Sequence, residues 1–505
     1  MSSQASQQLL LSCLQHVVQQ HGAAVAVREP DGATVTYDDF ALLASRLRRA
    51  LDQPAVGSRE PIGLLLERSG SAYAAMWAAV SLGRPYVPLN PSYPRSRLAD
   101  IIKQSGISQV VATTKTATAA QELVGDHHRL VIADDPALAM AERDDEFWQA
   151  RDGGAVAYIL FTSGSTGKPK GVPISYGNLW AFAENMAATI AYRENDVCSQ
   201  VCELSFDFSV HEIYLALLAG ATLCPARTID LFNPAQYVER NGITVWISVP
   251  SLARVVLANG PTIDERLDSV RLSIFNGEAL TARLAAAWQQ TAANTVVWNT
   301  YGPTECTVAV TAQQWHDDPE LEEADVVSIG TAFPECRTAL GTDDGVVVTE
   351  NASDGLVGEL LLGGPQRFDG YLDATLTSPF IVDGDTTWYR TGDRVRWRQQ
   401  RLYHLGRLDH QVKIGGHRIE LLEVEHQLRE CIDRDEIAVI AHPKRHPTEL
   451  ILFVTAPIDA KLSAETSGLP AYMVPKRVLP VPSLPVNAHG KLDRDRLHGL
   501  AEEMA

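Results

Sequence analysis

Short runs rich in Val, Ile and Leu alternate with stretches of helical period between about residues 35 and 325. The runs are bounded by turn residues and lack polar alternation, which is typical of parallel strands buried on both faces. They lie at residues 62–66, 110–112, 130–133, 156–160, 245–249 and 270–274. Parallel strands need crossover connections, usually helices, so this alternation predicts doubly wound α/β layers.

The pattern changes after about residue 325, where short apolar segments become closely spaced and are separated by turns rich in Gly, Asp and Arg. This predicts a β-rich, antiparallel subdomain over about residues 325–407. Beyond it, residues 418–431 have the period of an amphipathic helix, residues 436–443 and 449–457 are predicted strands, and the tail is rich in proline.

These patterns predict an α/β chain of two parts. A length of 505 residues exceeds what one core usually serves. The first predicted part is a large N-terminal region, residues 1–407, made of doubly wound α/β subdomains and the β-rich subdomain. The second is a small, mobile α+β domain, residues 408–505. The polar turn at 406–409 is the predicted hinge, although a plain hairpin turn fits the same residues.

Composition excludes several classes of partner. A net charge of −19 argues against nucleic acid, whose binding needs a basic face. The N-terminal residues have no basic cluster, and no segment approaches about 18 uninterrupted apolar residues, so we predict no signal peptide, membrane span or membrane partner. The seven cysteines are dispersed and odd in number, which favours free thiols over disulfides or a metal site. A cytoplasmic protein is expected.

The segment FTSGSTGKPKG, residues 161–171, directly follows the apolar run at 156–160. Glycines let backbone N–H groups approach an anion, hydroxyl groups add donors and lysines add positive charge, so the segment is typical of a phosphate-binding loop. It is not a Walker A loop, because Thr162 and Pro169 stand where that loop has glycine and a hydroxyl residue. A mobile surface loop would have a similar composition.

Five further segments follow this loop in order: FDFSVHEIYLALLAG at 206–220, NTYGPTEC at 299–306, YRTGD at 389–393, GRLDHQVKIGGHRIEL at 406–421 and NAHGKLD at 487–493. Together they resemble the core motifs of the adenylate-forming superfamily. The likeness is to amino-acid adenylation domains of nonribosomal peptide synthesis and to stand-alone D-alanyl carrier protein ligases. It extends over nearly the whole chain, since residues 82–102 also resemble an early family motif.

The resemblance implies a two-step reaction. In the first step a carboxylate oxygen attacks the α-phosphate of ATP, pyrophosphate leaves and an acyl adenylate forms. Fixed cations and donors, rather than a covalent nucleophile, would stabilise the charge on the phosphate oxygens. Lys491 matches the family lysine that bridges the carboxylate and the α-phosphate. In the second step a thiol takes the acyl group, after the small domain has rotated about Asp409 and the strand around Lys413 has replaced Lys491.

ATP and Mg²⁺ are the implied nucleotide and metal. Glu305 matches the family's magnesium ligand, with Thr162 in support. Asp393 matches the residue that accepts from the ribose hydroxyls, Arg407 adds donors, and Tyr301 matches the aromatic residue that stacks on adenine. The other expected nucleotide contacts are Ser163, Gly164, Ser165, Thr166, Gly167, Lys170, Asn276, Gly277, Glu278, Asn299, Thr300, Gly302 and Thr304.

Asp207 indicates an amino-acid substrate. It occupies the position at which amino-acid-activating members hold an aspartate for the substrate ammonium, whereas a fatty or aryl acid would leave this charge unpaired. A helix N-cap is the alternative interpretation of the same residue. The remaining expected pocket residues are Phe208, His211, Ile247, Ile274, Asn276, Thr300, Val308 and Ala309. His211, Asn276 and Thr300 favour a small or medium polar amino acid, with D-alanine next.

Two residues depart from the family pattern. Asn276 stands where the D-alanyl ligases have cysteine, and Gly415 stands where most peptide-synthetase members have arginine. The few residues after position 493 leave no room for a carrier module, so the expected thiol is the phosphopantetheine arm of a discrete carrier protein supplied in trans. An acyl-coenzyme A or aryl-acid ligase is the alternative enzyme, and a non-catalytic binding protein is the alternative class.

Overall fold

The computed structural model describes residues 2–52, 59–125, 128–142, 144–151, 155–164, 168–258, 267–316, 318, 322–323, 325–409, 411–432, 436–456, 458, 462–486 and 492–504. Within these ranges, none of the helices is both long enough and apolar enough to cross a bilayer. The chain separates into two compact units. The first comprises residues 1–91, 102–160 and 171–408, and the second comprises residues 92–101, 161–170 and 409–505.

The helices are distributed along the whole chain. In order they are α1 (Ser3–His21), α2 (Tyr37–Leu51), α3 (Gly70–Ser81), α4 (Arg95–Ser105), α5 (Ala117–Val124), α6 (Pro136–Ala139), α7 (Tyr176–Thr189), α8 (Phe208–Leu218), α9 (Pro234–Asn241), α10 (Pro250–Ala258), α11 (Ala282–Thr291), α12 (Leu421–Ile432), α13 (Ala464–Ser467) and α14 (Arg494–Glu503).

Most strands are short. In order they are β1 (Val25–Arg28), β2 (Thr34–Thr36), β3 (Ile62–Leu65), β4 (Tyr86–Pro88), β5 (Gln109–Ala112), β6 (Arg129–Ile132), β7 (Val156–Thr162), β8 (Lys170–Ser175), β9 (Val197–Gln200), β10 (Thr222–Pro225), β11 (Val245–Ser248), β12 (Leu272–Phe275), β13 (Val296–Tyr301), β14 (Thr311–Trp315), β15 (Glu322–Glu323), β16 (Val326–Val327), β17 (Thr331–Ala332), β18 (Arg337–Thr342), β19 (Gly345–Val348), β20 (Val357–Gly363), β21 (Phe380–Asp383), β22 (Thr386–Arg398), β23 (Arg401–Arg407), β24 (Gln411–Ile414), β25 (His417–Glu420), β26 (Ile437–His442), β27 (Glu449–Val454) and β28 (Arg477–Pro480).

Two α/β sheets confirm the fold class predicted from the alternating runs. One has the strand order β17-β14-β13-β12-β11-β9-β10-β1-β2, and the other has the order β6-β5-β3-β4-β7-β8. The central strands β13, β12, β11, β9, β10 and β1 run parallel, with antiparallel strands at both edges. Each predicted buried run forms a strand within one or two residues of its expected bounds. A strand covered by helices on both faces is apolar along its whole length, so the apolar run marks the strand.

The β-rich region predicted after residue 325 is also confirmed. Strands β18 to β23 form a sheet whose described pairings are all antiparallel. The longest strand, β22, pairs with β20, β21 and β23. It therefore joins these three strands into one sheet. The register of its pairing with β23 places Asp393 opposite Arg407.

The second unit contains the three-stranded sheet β26-β27-β28 and the hairpin β24-β25. Two details differ from the sequence prediction. The amphipathic helix begins at Leu421 rather than at residue 418, because residues 417–420 pair with residues 411–414 in the hairpin. The tail also ends in α14, where the Asp493 side chain accepts a hydrogen bond from the Arg496 N–H and caps the helix. The mobility of a domain 408–505 and its exact bounds stay predictions.

Candidate functional site

The carboxyl ends of β11, β12 and β13 meet at one edge of the larger α/β sheet. Ser248 pairs with Phe275 and Phe275 pairs with Asn299, so the three strands end at nearly the same level. The segment Asn276 to Glu278 leaves β12 at this edge, and the segment from Gly302 to Glu305 leaves β13 beside it. In open α/β sheets ligands bind outside these strand ends. The topology thus places two predicted nucleotide-contacting segments side by side.

Asp393 is the centre of a buried polar cluster. Its Oδ2 accepts from the Tyr301 hydroxyl at 2.6 Å, and its Oδ1 accepts from Arg407 at 2.9 Å and lies 3.1 Å from His404 Nε2. The Asp393 backbone N–H donates to Thr391 Oγ1 within β22 at 3.0 Å. Burial first, and the charge of Asp393 second, raise the pKa of Tyr301 well above its usual value, so its hydroxyl remains a donor.

Three strands converge on this carboxylate, although they are far apart in sequence. Tyr301 ends β13, Asp393 lies in β22, and His404 and Arg407 lie in β23. The Tyr301 and His404 rings lie 6.4 Å apart between centroids. An ionised carboxylate is a pure acceptor, which is the group that ribose hydroxyls need as donors. The cluster therefore combines a charged acceptor with an aromatic ring, two groups that can bind a nucleoside.

Glu305 is fully buried in a short 3₁₀ turn, Thr304–Cys306, between β13 and β14. Its Oε1 accepts from the Tyr371 hydroxyl at 2.9 Å. A carboxylate held in this way fits Mg²⁺, which is usually bound by one or two carboxylates together with substrate phosphates and water. The other predicted metal ligand, Thr162, has a buried hydroxyl oxygen with no hydrogen-bond partner in the described chain, which also fits an external ligand.

The backbone after Glu305 is strained. Thr307 and Val308 have φ of 56° and 69°, in the left-handed region that β-branched residues avoid. The Gln366 side chain holds this turn by donating to the carbonyl oxygen of Ala309 at 2.6 Å, with Thr307 at 3.2 Å. A Cβ at Gly302 would lie 2.7 Å from the Ala309 backbone. The close approach of the two segments accordingly requires glycine at 302.

The predicted acyl pocket is largely apolar. Phe208, Ile247, Ile274, Val308 and Ala309 belong to one buried cluster. Asp207 precedes α8, and among the described residues its side chain accepts no capping hydrogen bond from that helix. The N-cap interpretation of Asp207 is therefore not supported by the geometry.

The three polar residues predicted for this pocket differ in their bonding. Asn276 donates to Val308 O at 3.1 Å and accepts from the Gly277 N–H, while Thr300 donates to Phe275 O at 3.1 Å. His211 Nε2 lies 2.7 Å from the Tyr192 hydroxyl. Its buried Nδ1, by contrast, has no hydrogen-bond partner within the described residues. Of these side chains, His211 has the clearest open position for a further polar contact.

His211 is expected to make stability depend on pH. Burial lowers its pKa from 6.5 to about 3, so the imidazole stays neutral in the folded protein while the unfolded chain takes up a proton below about pH 6.5. This contribution to stability is present above that pH and is lost as the pH falls. Between about pH 7 and about pH 5.5, the stability of the natural protein relative to His211→Phe should fall by about 1 kcal/mol. Urea unfolding of both proteins at the two pH values measures this difference, and an unchanged difference would contradict it.

The phosphate-loop residues form several contacts inside the second unit. Ser163 Oγ donates to Arg418 O at 2.8 Å, and the Gly164 N–H donates to Glu423 Oε2 at 2.9 Å. Lys170 Nζ lies 3.7 Å from Glu420 Oε1. A Cβ at Gly164 would lie 2.1 Å from the Lys168 carbonyl oxygen, so the tight turn requires glycine. The loop therefore presents its N–H and ammonium groups to carboxylates.

The remaining predicted residues differ in their contacts, and some lie outside the described ranges. Asn299 is buried and donates to Ser328 O at 2.9 Å, and Glu278 accepts from the Ser251 N–H at 2.8 Å. Asp409 accepts from the Gln411 N–H, and Lys413 lies in β24. Ser165, Thr166, Gly167 and Lys491 lie outside the described residues.

Sequence reasoning missed His404, Gln366, Tyr371 and Tyr192, which bond the predicted residues from segments that match none of the motifs. The only local signal for two of them is the segment GPQRFDGY, residues 364–371, whose glycines and aromatic rings mark a tight, packed turn.

The sheet-edge loops and the buried Asp393 cluster are those expected of an AMP-forming ligase. The family model for AMP-binding enzymes matches residues 14–372, and the chain belongs to this family.

The curated relatives and solved structures agree. A D-alanine--D-alanyl carrier protein ligase of Bacillus licheniformis is 31% identical, over 92% of this chain and 94% of its own. The Vibrio cholerae adenylation domain AlmE, solved with glycyl-adenosine-5'-phosphate, is 29% identical with a TM-score of 0.86 and 98% of each chain covered. PA1221, a nonribosomal peptide synthetase protein with adenylation and carrier domains, is 25% identical with a TM-score of 0.80, covering 97% of this chain and 83% of its own.

Proposed function

We propose that this protein activates a small amino acid as its aminoacyl adenylate and then transfers it to the phosphopantetheine thiol of a discrete carrier protein. In the first step a carboxylate oxygen of the amino acid bonds to the α-phosphorus of ATP, and pyrophosphate leaves. In the second step the thiolate bonds to the acyl carbon and AMP leaves. The buried Asp393, bonded to Tyr301, Arg407 and His404 beside the sheet edge, is the observation that most supports this proposal.

Each polar group has a proposed part in the first step. Asp393 binds the ribose hydroxyls, Tyr301 packs on the base, and the phosphate loop donates to the β- and γ-phosphates. Glu305 and Thr162 would hold Mg²⁺, which neutralises phosphate charge when bound. Lys491 would place its ammonium group between the attacking carboxylate and the α-phosphate. The proposed chemistry therefore depends on positioning and on fixed charge.

The substrate is proposed to be a small amino acid with at most one polar side-chain group. Asp207 supplies a negative charge for the α-ammonium. Asn276 and Thr300 are already bonded to the backbone, so His211 Nδ1 is the group best placed for one more hydrogen bond. D-Alanine and glycine, which appear in the names of the relatives above, fit this size, as do serine and threonine.

The proposed acyl acceptor is a carrier protein, as the names of the D-alanyl carrier protein ligases indicate for those relatives. The proposed location is the cytoplasm, where ATP and such carriers are present. An acyl-coenzyme A or aryl-acid ligase would share the nucleotide contacts. Asp207 distinguishes the two classes, since an amino acid brings a positive charge to this carboxylate and an apolar acid does not.

A pyrophosphate-exchange panel tests the proposal. Glycine and both enantiomers of alanine, serine and threonine are compared with acetate, a medium-chain fatty acid and benzoate. Exchange is expected with at least one small amino acid. In Asp207→Asn the KM for that amino acid should rise about tenfold or more, with little change in the KM for ATP, because the substrate ammonium loses its charged partner. Exchange with the simple acids alone would refute the proposal.

A further inference from the structure

The phosphate loop is occupied by carboxylates of its own unit. Glu420 ends β25 and Glu423 lies in the first turn of α12, three residues later. Glu423 Oε2 accepts from the Gly164 N–H at 2.9 Å, and Glu420 Oε1 lies 3.7 Å from Lys170 Nζ. A backbone N–H and a lysine are the groups with which such a loop binds phosphate oxygens. Among the described loop residues, the two glutamates thus engage two donors that a polyphosphate would use, the Gly164 N–H and the Lys170 ammonium.

These carboxylates are held firmly in place. Glu423 is 2% exposed, and its second oxygen, Oε1, accepts from Arg97 at 2.9 Å. Arg97 is itself buried, and its guanidinium lies over the Tyr93 ring. Glu420 is also buried, and Gln411 donates to the same oxygen that faces Lys170. Buried charges need partners, and Arg97 and Gln411 supply them to Glu423 and Glu420.

We propose that Glu423 and Glu420 are positioning residues that replace the β- and γ-phosphate oxygens on the loop once pyrophosphate has left. This inference rests on the proposed function, in which the loop binds the triphosphate. The loop binds either the polyphosphate or the two carboxylates, because both use the Gly164 N–H and Lys170. Two anions at the same donors would also repel each other.

This exchange of phosphate oxygens for carboxylates on the loop has a consequence for the direction of the reaction. Some ligands bind only when the carboxylates have withdrawn from the loop. The apparent affinity of such a ligand is its intrinsic affinity multiplied by the fraction of molecules in which the carboxylates are withdrawn. Pyrophosphate and ATP meet this competition, while AMP, which has no β- or γ-phosphate, does not. Engagement of Glu423 and Glu420 therefore opposes the return of pyrophosphate, and with it the reversal of adenylate formation, while the thiol reacts.

The test compares Glu423→Gln and Glu420→Gln with Glu430→Gln, a control on α12 whose side chain is 64% exposed. Calorimetry with Mg²⁺ gives the Kd of the α,β-methylene analogue of ATP and the Kd of AMP. Each of the two variants should bind the ATP analogue about fivefold tighter than the natural protein, with AMP unchanged. Pyrophosphate should also inhibit thiol transfer from preformed adenylate at about fivefold lower concentration.

The outcomes separate the two proposals. If the natural protein binds neither nucleotide, the proposed function fails. If it binds both, and the variants match Glu430→Gln in the Kd of the ATP analogue and in pyrophosphate inhibition, the inference about the carboxylates is overturned. Should Glu423→Gln fail to fold because Arg97 loses its partner, Glu420→Gln decides alone. Tighter binding of AMP and the ATP analogue by the same factor would also overturn it, because it would show a general change in the nucleotide site.

Discussion

Replacement of Lys491 by alanine is expected to abolish adenylate formation while leaving thiol transfer from preformed adenylate largely intact. The proposed ammonium group neutralises negative charge where the carboxylate meets the α-phosphate, and a well-placed donor of this kind contributes about 10²–10³ in rate. Pyrophosphate exchange should therefore fall by about this factor or more. The thiol step breaks the bond between the acyl carbon and AMP and does not need this cation, so single-turnover transfer to a carrier should change less than about threefold.

Two comparisons make this test specific. Lys476→Ala changes an exposed lysine of the same unit and should affect neither step. Lys413→Ala, in β24, is expected to show the opposite pattern, with adenylate formed and the thiol step slowed. Equal loss of both steps in Lys491→Ala would contradict the assignment, because a residue with a part in only one step cannot slow both.

The fold was predictable from the sequence where one segment decides its own structure. The buried runs at 62–66 and 245–249 form strands because apolar residues on both faces permit little else. The start of α12 was not predictable in this way, since residues 417–420 have a helical period but pair with residues 411–414. The helix α14 could have been predicted from Asp493 as an N-cap and from Leu497 and Ala501, four residues apart and buried.

The candidate site shows the same division between features set by a local segment and features set by tertiary contacts. Motifs identified Asp393, Arg407 and Tyr301, but only the folded sheets bring Tyr301 within 2.6 Å of a carboxylate 92 residues later. No local pattern marks His404 as a neighbour of Asp393, because the pairing of β22 with β23 sets that contact. Glu420 and Glu423, whose carboxylates contact the phosphate loop, likewise look like ordinary surface charges in the sequence. Partners of catalytic groups are decided by tertiary register, which a single sequence does not state.

Replacement of Asp393 by asparagine is expected to weaken both the fold and nucleotide binding. The Arg407 side chain is 13% exposed and would lose its charge partner, which typically costs about 3–5 kcal/mol when a buried pair is broken. Tyr301 would lose a charged acceptor. ATP and AMP should each bind about a hundredfold more weakly, because the ribose hydroxyls would lose charge-assisted bonds. Calorimetry and urea unfolding measure the two effects.

Tyr301→Phe and a modified nucleotide separate ribose binding from simple destabilisation. Tyr301→Phe keeps the aromatic ring but removes the hydroxyl that donates to Asp393 at 2.6 Å. The free energy of unfolding should therefore fall by about 1.5–3 kcal/mol, while the Kd of AMP should change less than about threefold. The natural protein and Tyr301→Phe should both prefer AMP to 2',3'-dideoxy-AMP, whereas Asp393→Asn should bind the two almost equally. An Asp393→Asn protein that still discriminates against the dideoxy nucleotide would show that the ribose hydroxyls bind elsewhere and that the carboxylate serves only the fold.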